Sequence, residues 1–158
     1  MLATDWEMVA DIYKQGIETG NATFQQTVPT WKEWNAAHIL NCRIVAEVDN
    51  EIAGWAALSS VSARAVYSGV AEVSVYVGKK HRGQHVGTTL LKSIITESER
   101  QGFWTLQSGI FPENKASIAI HKKSGFREIG YREKVAKLKN VWENTILFER
   151  RSTVTGVE

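Results

Sequence analysis

The stretch of sequence that decides the fold is VAEVSVYVGKKHRGQHVGT, which occupies residues 70–88. Its first eight residues are rich in β-branched side chains, which predicts a strand over Val70–Val77. The apolar residues after the turn recur at helical spacing and predict a helix that ends near Gly102. They are Leu90, Leu91, Ile94 and Ile95. The sequence therefore predicts a strand, a glycine-containing turn and a helix in direct succession.

The turn between this strand and this helix is a candidate phosphate site. The first N–H groups of a helix lack intrahelical partners, and the helix dipole places partial positive charge there. Gly83 and Gly87 permit a close approach of the backbone, while Lys79, Lys80 and Arg82 add positive charge. The P-loop motif and the GxGxxG dinucleotide fingerprint are both absent. A solvated turn without a ligand is the alternative interpretation.

Further helices and strands are predicted on both sides of this stretch. Capping boxes at Thr4–Glu7 and Thr30–Glu33 predict two helices, the first ending near Gly20. The other predicted elements are strands over 43–48, 52–58, 103–111, 126–131 and 142–148 and a helix over 114–124. This order indicates a mixed α/β fold, with strand–helix–strand crossovers in the second half.

The composition is that of a soluble globular protein. Of the 158 residues, 43% are hydrophobic and 23% are charged, and the longest apolar run is far shorter than the ~20 residues of a membrane helix. We expect one domain over residues 1–158, without a signal peptide. A formal net charge of +2 argues against nucleic-acid binding. Cys42, the single cysteine, is interpreted as a packing residue; it excludes an internal disulfide and favours a cytoplasmic location.

Two motifs resemble the signatures of the GCN5-related N-acetyltransferases (GNAT). The segment from Arg82 to Gly87 is similar to the acetyl-CoA motif of that family, Q/R-x-x-G-x-G/A, at its first and last positions. His85 stands where the family usually has glycine, and histidine tolerates a left-handed backbone better than β-branched residues do. Asn114, followed by a helix that ends in Gly125-Phe126, resembles the second family element.

The resemblance covers nearly the whole chain and narrows to the branch of phosphinothricin N-acetyltransferases and amino-acid N-acyltransferases. The matching blocks lie within residues 17–24, 45–49, 53–54, 63–67 and 71–77. The resemblance implies the GNAT fold, an α/β architecture in which helices flank a mixed, mostly antiparallel central sheet. Acetyl-CoA is then expected where the family's fourth and fifth strands, here residues 70–77 and 103–111, splay apart.

The resemblance implies catalytic roles for Glu72 and His121. Glu72 stands at the position of the family's catalytic glutamate and is expected to deprotonate the acceptor amine, directly or through water. A strand-end carboxylate that faces solvent is the alternative interpretation. His121 stands where many family members have a tyrosine that protonates the departing CoA sulfur. Proton donation, organisation of the substrate and simple packing are its alternative roles.

The resemblance also implies how acetyl-CoA is held. The main chain of Val75–Val77 is expected to pair with the pantetheine arm as if it were another strand, and an N–H near Tyr76 to polarise the thioester carbonyl. The turn takes the pyrophosphate, and Asn114 a pantetheine amide. The expected cofactor-binding residues are Val75, Tyr76, Val77, Arg82, Gly83, Gln84, His85, Val86, Gly87, Thr88, Asn114 and Ser117.

Arg64, Tyr67 and Phe24 are the candidates for contacts with the acceptor. Arginine binds carboxylate or phosphinate oxygens through two parallel hydrogen bonds, which fits an amino-acid-like molecule. An exposed loop arginine and core packing of Phe24 are the alternatives. His81 and His85 are four residues apart but have no acidic or cysteine ligand nearby in the sequence, so no metal is expected.

The function that the resemblance implies is a cytoplasmic N-acetyltransferase. It would transfer the acetyl group of acetyl-CoA to a small amino-acid-like amine such as phosphinothricin, methionine sulfone or methionine sulfoximine. Direct attack in a ternary complex is expected, with no metal, nucleic acid or membrane, and the branch commonly forms homodimers. A peptide N-terminus or a polyamine is the alternative acceptor, and a non-catalytic acyl-CoA sensor is the alternative from another functional class.

Overall fold

A computed structural model describes residues 1–157, which form four α-helices and a six-stranded sheet. The helices are α1 (Trp6–Glu18), α2 (Trp31–Ala37), α3 (Val86–Arg100) and α4 (Lys115–Lys123). The strands are β1 (Arg43–Val48), β2 (Glu51–Ser60), β3 (Val70–Val77), β4 (Thr105–Ile110), β5 (Arg127–Leu138) and β6 (Val141–Arg151). The order of elements along the chain is the predicted one, and the mixed α/β class is confirmed.

The sheet has the strand order β1-β2-β3-β4-β6-β5. Strands β3 and β4 are parallel and joined by α3, whereas every other neighbouring pair within residues 1–157 is antiparallel. The mixed, mostly antiparallel sheet that the resemblance implies is therefore confirmed. The second predicted crossover, through α4, does not join neighbouring strands, because β6 lies between β4 and β5.

The hairpin of β5 and β6 is longer than its sequence pattern predicts. The pattern predicts a strand that ends at Tyr131, whereas β5 continues to Leu138. Lys139 and Asn140 have φ angles of 46° and 67° and form the tight turn into β6. Two shifts of register, next to Glu128 and next to Arg132, interrupt the pairing of β5 with β6. The extension is hidden in the sequence because its residues are mostly charged and show no clear alternation.

The two predicted capping boxes have different outcomes. At the start of α2, the Glu33 amide donates to the Thr30 hydroxyl at 3.3 Å and the Thr30 amide donates to the Glu33 carboxylate at 2.8 Å, so this box is confirmed. The box predicted at Thr4–Glu7 is wrong. There the Asp5 carboxylate accepts from the Leu2 amide at 2.6 Å, and a 3₁₀ turn precedes α1.

Alternate side chains of the sheet contribute to two cores on opposite faces. Helices α1 and α2 pack on one face, against Trp55 and Tyr76. Helices α3 and α4 pack on the other face, against residues such as Val73 and Phe148. Glu72 therefore points to the face of α1 and α2, because its neighbour Val73 points to the face of α3.

The parallel strands β3 and β4 stay paired over only three residues each. Val70–Glu72 pair with Thr105–Gln107, after which β3 continues beside β2 and β4 beside β6. The sheet thus opens into a cleft that begins immediately after Glu72. This is the splayed arrangement that the resemblance implies.

Among residues 1–157, no helix combines the length and the apolar character that crossing a membrane requires.

Candidate active site

Two adjoining cavities occupy the cleft between β3 and β4. The smaller has a volume of about 320 Å³ and the larger about 720 Å³. Both are lined by Asn21, Ala22, Val75, Tyr76, Asn114 and Ser117. Because these shared residues form the boundary, a ligand in one cavity can reach a ligand in the other.

The larger cavity lies against the turn that leads into α3. Gly83 and His85 both adopt left-handed backbone conformations, with φ angles of 76° and 62°. The first backbone bond of α3 runs from the Thr89 amide to the His85 carbonyl at 3.0 Å, so the N–H groups of residues 86–88 have no acceptor within the helix. These groups and the positive end of the α3 dipole provide the physical conditions for binding phosphate.

Gly87 has a packing role at this turn. A Cβ added there would lie 3.3 Å from the Ile120 side chain and 3.4 Å from that of Val77. The missing side chain therefore lets the first turn of α3 lie close to both β3 and α4.

Most of the expected cofactor-binding residues line the larger cavity. They are Val75, Tyr76, Val77, Arg82, Gly83, His85, Val86, Gly87, Thr88, Asn114 and Ser117. The exception is Gln84, whose side-chain amide donates to the Lys80 carbonyl at 3.1 Å. Contact of each of these residues with acetyl-CoA stays a prediction.

The basic residues of the turn differ in their availability. Lys80 forms an ion pair with Glu51 at 2.6 Å, and Lys79 lies 3.8 Å from Glu18. Arg82 is exposed and has no ion-pair partner within the described part of the chain. Lys115, at the start of α4, also lines the larger cavity and was not singled out from the sequence. Its only signal is that it follows Asn114.

Glu72 lines the smaller cavity at the point where the pairing of β3 with β4 ends. Its side chain reaches solvent, yet the surrounding protein atoms displace enough water to raise its pKa above the usual range for glutamate. The charge of Arg132 and the side chain of Gln107 lower the pKa in part. A raised pKa brings the carboxylate closer to the range in which a base works well near neutral pH.

His121 is buried on α4 and lines the same cavity. Its Nδ1 lies 2.8 Å from the Ser117 carbonyl, an acceptor, so Nδ1 carries the proton and Nε2 presents a lone pair. Nε2 has no hydrogen-bond partner among the described residues. Burial lowers the pKa of His121, which favours the neutral ring. The geometry therefore fits an acceptor of hydrogen bonds better than a donor of a proton to the thiolate.

Tyr76 forms the wall between the two cavities. Its ring stacks on Trp55 at 4.7 Å and packs edge-on against Tyr13 at 4.9 Å. Its hydroxyl donates to the Ala22 carbonyl at 3.4 Å, and burial raises its pKa, so the phenol stays neutral. Gly16 makes this packing possible, since a Cβ there would lie 2.6 Å from the Tyr76 ring. Tyr76 thereby holds the segment that follows α1, which includes Ala22, against β3.

Asn114 connects α4 to that same segment. Its side-chain oxygen accepts from the Ser117 amide at 3.1 Å, which caps α4, and its side-chain nitrogen donates to the Asn21 carbonyl at 3.3 Å. Phe24, further along the segment, packs against Phe111 at 4.8 Å and lines the smaller cavity. Packing and contact with an acceptor are therefore compatible roles for Phe24.

The other two acceptor candidates lie outside both cavities. Arg64 and Tyr67 are exposed in the connector between β2 and β3, and the guanidinium lies 5.5 Å from the Tyr67 ring centroid. Their contact with the acceptor stays a prediction. Arg132, whose charge acts on Glu72, was not singled out from the sequence, because nothing in the pattern of β5 connects it with β3.

Neither a metal site nor a cysteine nucleophile emerges from the geometry. Residues 1–157 contain no cluster of three His, Cys, Asp or Glu side chains placed to hold a metal. Cys42 is fully buried, and burial raises the pKa of its thiol to about 11. It therefore stays protonated near neutral pH, which agrees with the packing role interpreted from the sequence.

Comparisons with known proteins agree with this architecture. The sequence matches the model of the acetyltransferase (GNAT) family over residues 6–126. It is 30% identical over 152 residues to phosphinothricin N-acetyltransferase of Alcaligenes faecalis, covering 92% of this chain and 77% of that protein. It is 25% identical to an L-methionine sulfoximine/L-methionine sulfone acetyltransferase of Pseudomonas aeruginosa, covering 83% of this chain and 80% of that protein.

Solved structures show the same fold. A GNAT superfamily phosphinothricin acetyltransferase from Sinorhizobium meliloti, in complex with AcCoA, superposes with a TM-score of 0.87 at 23% identity, over 100% of this chain and 89% of that one. The splayed sheet and the turn before α3 thus occur on a fold shared with an acetyl-CoA complex. Together with the family match over most of the sequence, this shows that the chain belongs to the acetyltransferase (GNAT) family, in the branch of the phosphinothricin and amino-acid N-acyltransferases.

Proposed function

We propose that this enzyme transfers the acetyl group of acetyl-CoA to the amino group of a small amino-acid-like acceptor. One observation carries the proposal: Glu72, the last residue that pairs β3 with β4, lines the smaller cavity, and residues 75–77 of the same strand line the larger one. A base and a cofactor site therefore lie along one strand. The methionine sulfone, methionine sulfoximine and phosphinothricin acetylated by the named relatives define the acceptor class to be tested.

Acetyl-CoA occupies the larger cavity in this proposal. The edge of β3 that the splay leaves unpaired receives the pantetheine arm as an added strand, through main-chain hydrogen bonds of Val75–Val77. The N–H groups at the start of α3 take the pyrophosphate. Arg82, and Lys115 on the opposite wall, supply positive charge for the phosphates.

The acceptor amine occupies the smaller cavity beside Glu72. The carboxylate removes a proton from the ammonium group, directly or through one water, and the neutral amine attacks the thioester carbonyl. A backbone N–H near Tyr76 stabilises the oxyanion of the tetrahedral intermediate. Collapse of the intermediate breaks the C–S bond, and the nitrogen releases its remaining extra proton to solvent as the amide forms. The CoA thiolate leaves with the bonding pair and takes up a proton from solvent.

His121 organises the acceptor in this scheme. Its Nε2 is buried and has no hydrogen-bond partner among the described residues, and in this scheme its lone pair accepts a hydrogen bond from the bound acceptor or from a bridging water. A neutral ring with Nδ1–H directed at the Ser117 carbonyl has no second proton to give to the thiolate. Of the roles predicted from the sequence, substrate organisation is therefore the one we propose.

An acceptor panel tests the proposal. Purified protein is incubated with acetyl-CoA and methionine sulfone, methionine sulfoximine, phosphinothricin, an alanine-terminated peptide or spermidine, and free thiol and acetylated product are measured. We expect thiol release with the first three. Preference for the peptide or for spermidine would replace the proposed acceptor class, and binding of CoA without any thiol release would indicate a sensor. The positive charge of Arg132 near Glu72 disfavours spermidine.

We further propose that the enzyme is a cytoplasmic homodimer. Exposed apolar side chains of the β5–β6 hairpin, among them Tyr131, Val141 and Trp142, support an interface there. Gel filtration with light scattering should give twice the mass of one chain, and a W142E variant should shift that mass toward the monomer. An unchanged dimer in W142E would place the interface elsewhere. The cytoplasmic location rests on the single unpaired cysteine and is checked by cell fractionation.

A further inference from the structure

The proposed function leaves the acidic group of the acceptor without a partner. Arg64 and Tyr67, the residues expected to bind it, contact each other outside the smaller cavity. An amino acid presents its ammonium and its carboxylate two bonds apart. A site that holds the ammonium against Glu72 therefore needs a cation nearby for the carboxylate.

Arg132 lies on the face of the sheet that carries Glu72. Its register partner on β6 is Thr145, and Leu147, two residues further along β6, pairs with Gly109 of β4. The Thr145 hydroxyl lies 4.0 Å from the position that a Cβ would take on Gly109. Gly109 itself lines the smaller cavity. Arg132 and Thr145 do not line the cavity themselves but lie beside its wall at Gly109, which has no side chain to obstruct an approach.

Arg132 is also available to a ligand. Arg127 of β5 is paired with Glu149 at 2.8 Å, and Arg150 of β6 with Glu99 at 2.9 Å. Arg132 is exposed and has no ion pair or hydrogen bond among residues 1–157. Its charge nonetheless lowers the pKa of Glu72, so the guanidinium lies within electrostatic reach of the carboxylate.

Two local features support a binding role for this region. The Thr145 hydroxyl is buried and has no hydrogen-bond partner within the described residues. A buried polar group of this kind is unusual in a folded protein and calls for a partner. In addition, the register of β5 shifts directly after Arg132, and Lys134 there has a φ of 47°. Such bulges redirect neighbouring side chains and occur frequently next to active sites.

We propose that Arg132 binds the α-carboxylate of the amino-acid acceptor, with the Thr145 hydroxyl beside it, and thereby holds the α-amino group at Glu72. The inference rests on the proposed function, and it makes Arg132 the residue that selects amino acids as the acceptor class. Glu72 and Arg132 then match the two charges of a zwitterion. A polyamine, which has no anion to offer, meets a repelling cation at the same position.

Two acceptors that differ in the carboxylate alone test this inference. Methionine sulfone is compared with 3-(methylsulfonyl)propylamine, its decarboxylated counterpart, in the wild type, R132Q and R132K. We expect R132Q to raise the KM for methionine sulfone by at least about tenfold, the usual effect of losing a charged hydrogen bond. At a pH above the rising limb of kcat/KM, the kcat/KM for the decarboxylated amine should stay within about twofold of the wild-type value, and R132K should recover part of the loss.

A competitive inhibitor supplies a readout that does not depend on turnover. 4-(Methylsulfonyl)butanoate keeps the carboxylate but lacks the amine, so its inhibition constant should rise in R132Q as the KM does. R127Q is the matched control, because it removes the same charge from the same face of β5 at a residue already paired with Glu149. We expect R127Q to leave both constants at their wild-type values.

Distinct results would overturn the inference. Equal losses for the two amines in R132Q would mean that Arg132 acts through the acidity of Glu72 and not on the carboxylate. A selective loss in R64Q with none in R132Q would assign the carboxylate to Arg64. Absence of thiol release by the wild type with every acceptor would overturn the proposed function itself, and this inference with it.

Discussion

The turn before α3 and the far wall of the smaller cavity are built in opposite ways. The turn consists of consecutive residues from Arg82 to Thr88, and its conformation depends on two left-handed positions and the start of one helix. The far wall contains Glu72 of β3 and Gly109 of β4, and the proposed acceptor site adds Arg132 and Thr145 of the β5–β6 hairpin, which lie next to Gly109. A site made by one segment can be predicted from its local pattern, whereas a site made by four strands depends on how these strands pair.

The largest expected effect is a loss of turnover in a variant of the smaller cavity that still binds CoA at the turn. E72Q removes the proposed base and should lower kcat by about 10²–10⁴-fold, the usual range for a general base. Calorimetry should show an unchanged Kd for CoA, because the turn is intact. E47Q, which alters an exposed carboxylate of β1, is the matched control. Unchanged turnover of E72Q at pH 7 would remove Glu72 from the mechanism.

Substitutions of His85 examine the turn alone. H85V places a β-branched residue at a φ of 62° and should cost about 1–2 kcal/mol, which lowers Tm by roughly 2–8 °C in a chain of this size. H85G relieves the strain of the left-handed conformation and should raise Tm slightly. T89V, at an exposed helical position of α3, serves as the control. A lower Tm for H85G than for the wild type would contradict this account.

The protonation state of His121 decides which role it has in the smaller cavity. Because burial lowers its pKa, we expect a neutral ring with the proton on Nδ1 at pH 7. Nitrogen chemical shifts from long-range proton–nitrogen NMR spectra distinguish this tautomer from the imidazolium. H121F, which lacks the acceptor, should lower kcat/KM by roughly two- to tenfold, as expected for one neutral hydrogen bond. An imidazolium at pH 7 would restore the proton-donor role.

The smallest expected effect concerns the stability cost of Glu72. Its pKa is raised in the folded protein, so the folded state holds this proton more tightly than the unfolded state. The destabilisation is absent below the unfolded pKa of about 4.3, develops as the pH rises through the folded value, and is complete above it. E72Q should therefore melt slightly above the wild type at pH 7, and this difference should vanish near pH 4.

The same carboxylate supplies a kinetic check. The rising limb of kcat/KM against pH should lie above the usual pKa of glutamate, and R132Q should move it higher, because Arg132 lowers the pKa of Glu72. The raised pKa would be contradicted if the melting temperatures of the wild type and E72Q still differed at pH 4. It would also be contradicted if the rising limb of kcat/KM lay at the usual pKa of glutamate.

Helix ends and turns were predictable where one or two neighbouring side chains decide the local geometry. The capping box of α2 is an example, because Thr30 and Glu33 satisfy each other's backbone groups without help from the rest of the chain. The box at Thr4–Glu7 fails because a 3₁₀ turn over Ala3–Asp5 precedes α1, and the Asp5 carboxylate caps that turn by accepting from the Leu2 amide. The extent of β5 was missed because a long hairpin is stabilised by pairing with β6, and its charged residues show no core-facing pattern.

The residues of the candidate site also differ in whether the sequence alone could predict them. Glu72, Phe24 and the residues of the turn were singled out from the sequence, and all of them except Gln84 line the two cavities. Arg64 was singled out as well but lies on Tyr67, away from them. Arg132 and Thr145 carried no local signal, since their significance depends on neighbours on other strands.

Residues 70–100 alone specify a strand, a left-handed turn and an amphipathic helix, because each depends on torsional preferences and on contacts a few residues apart. The end of the β3–β4 ladder after Glu72, the insertion of β6 between β4 and β5, and the position of Arg132 follow only from the folded sheet. Strand pairing joins residues far apart in the chain, so its register is selected by the burial of both faces together and not by any segment alone.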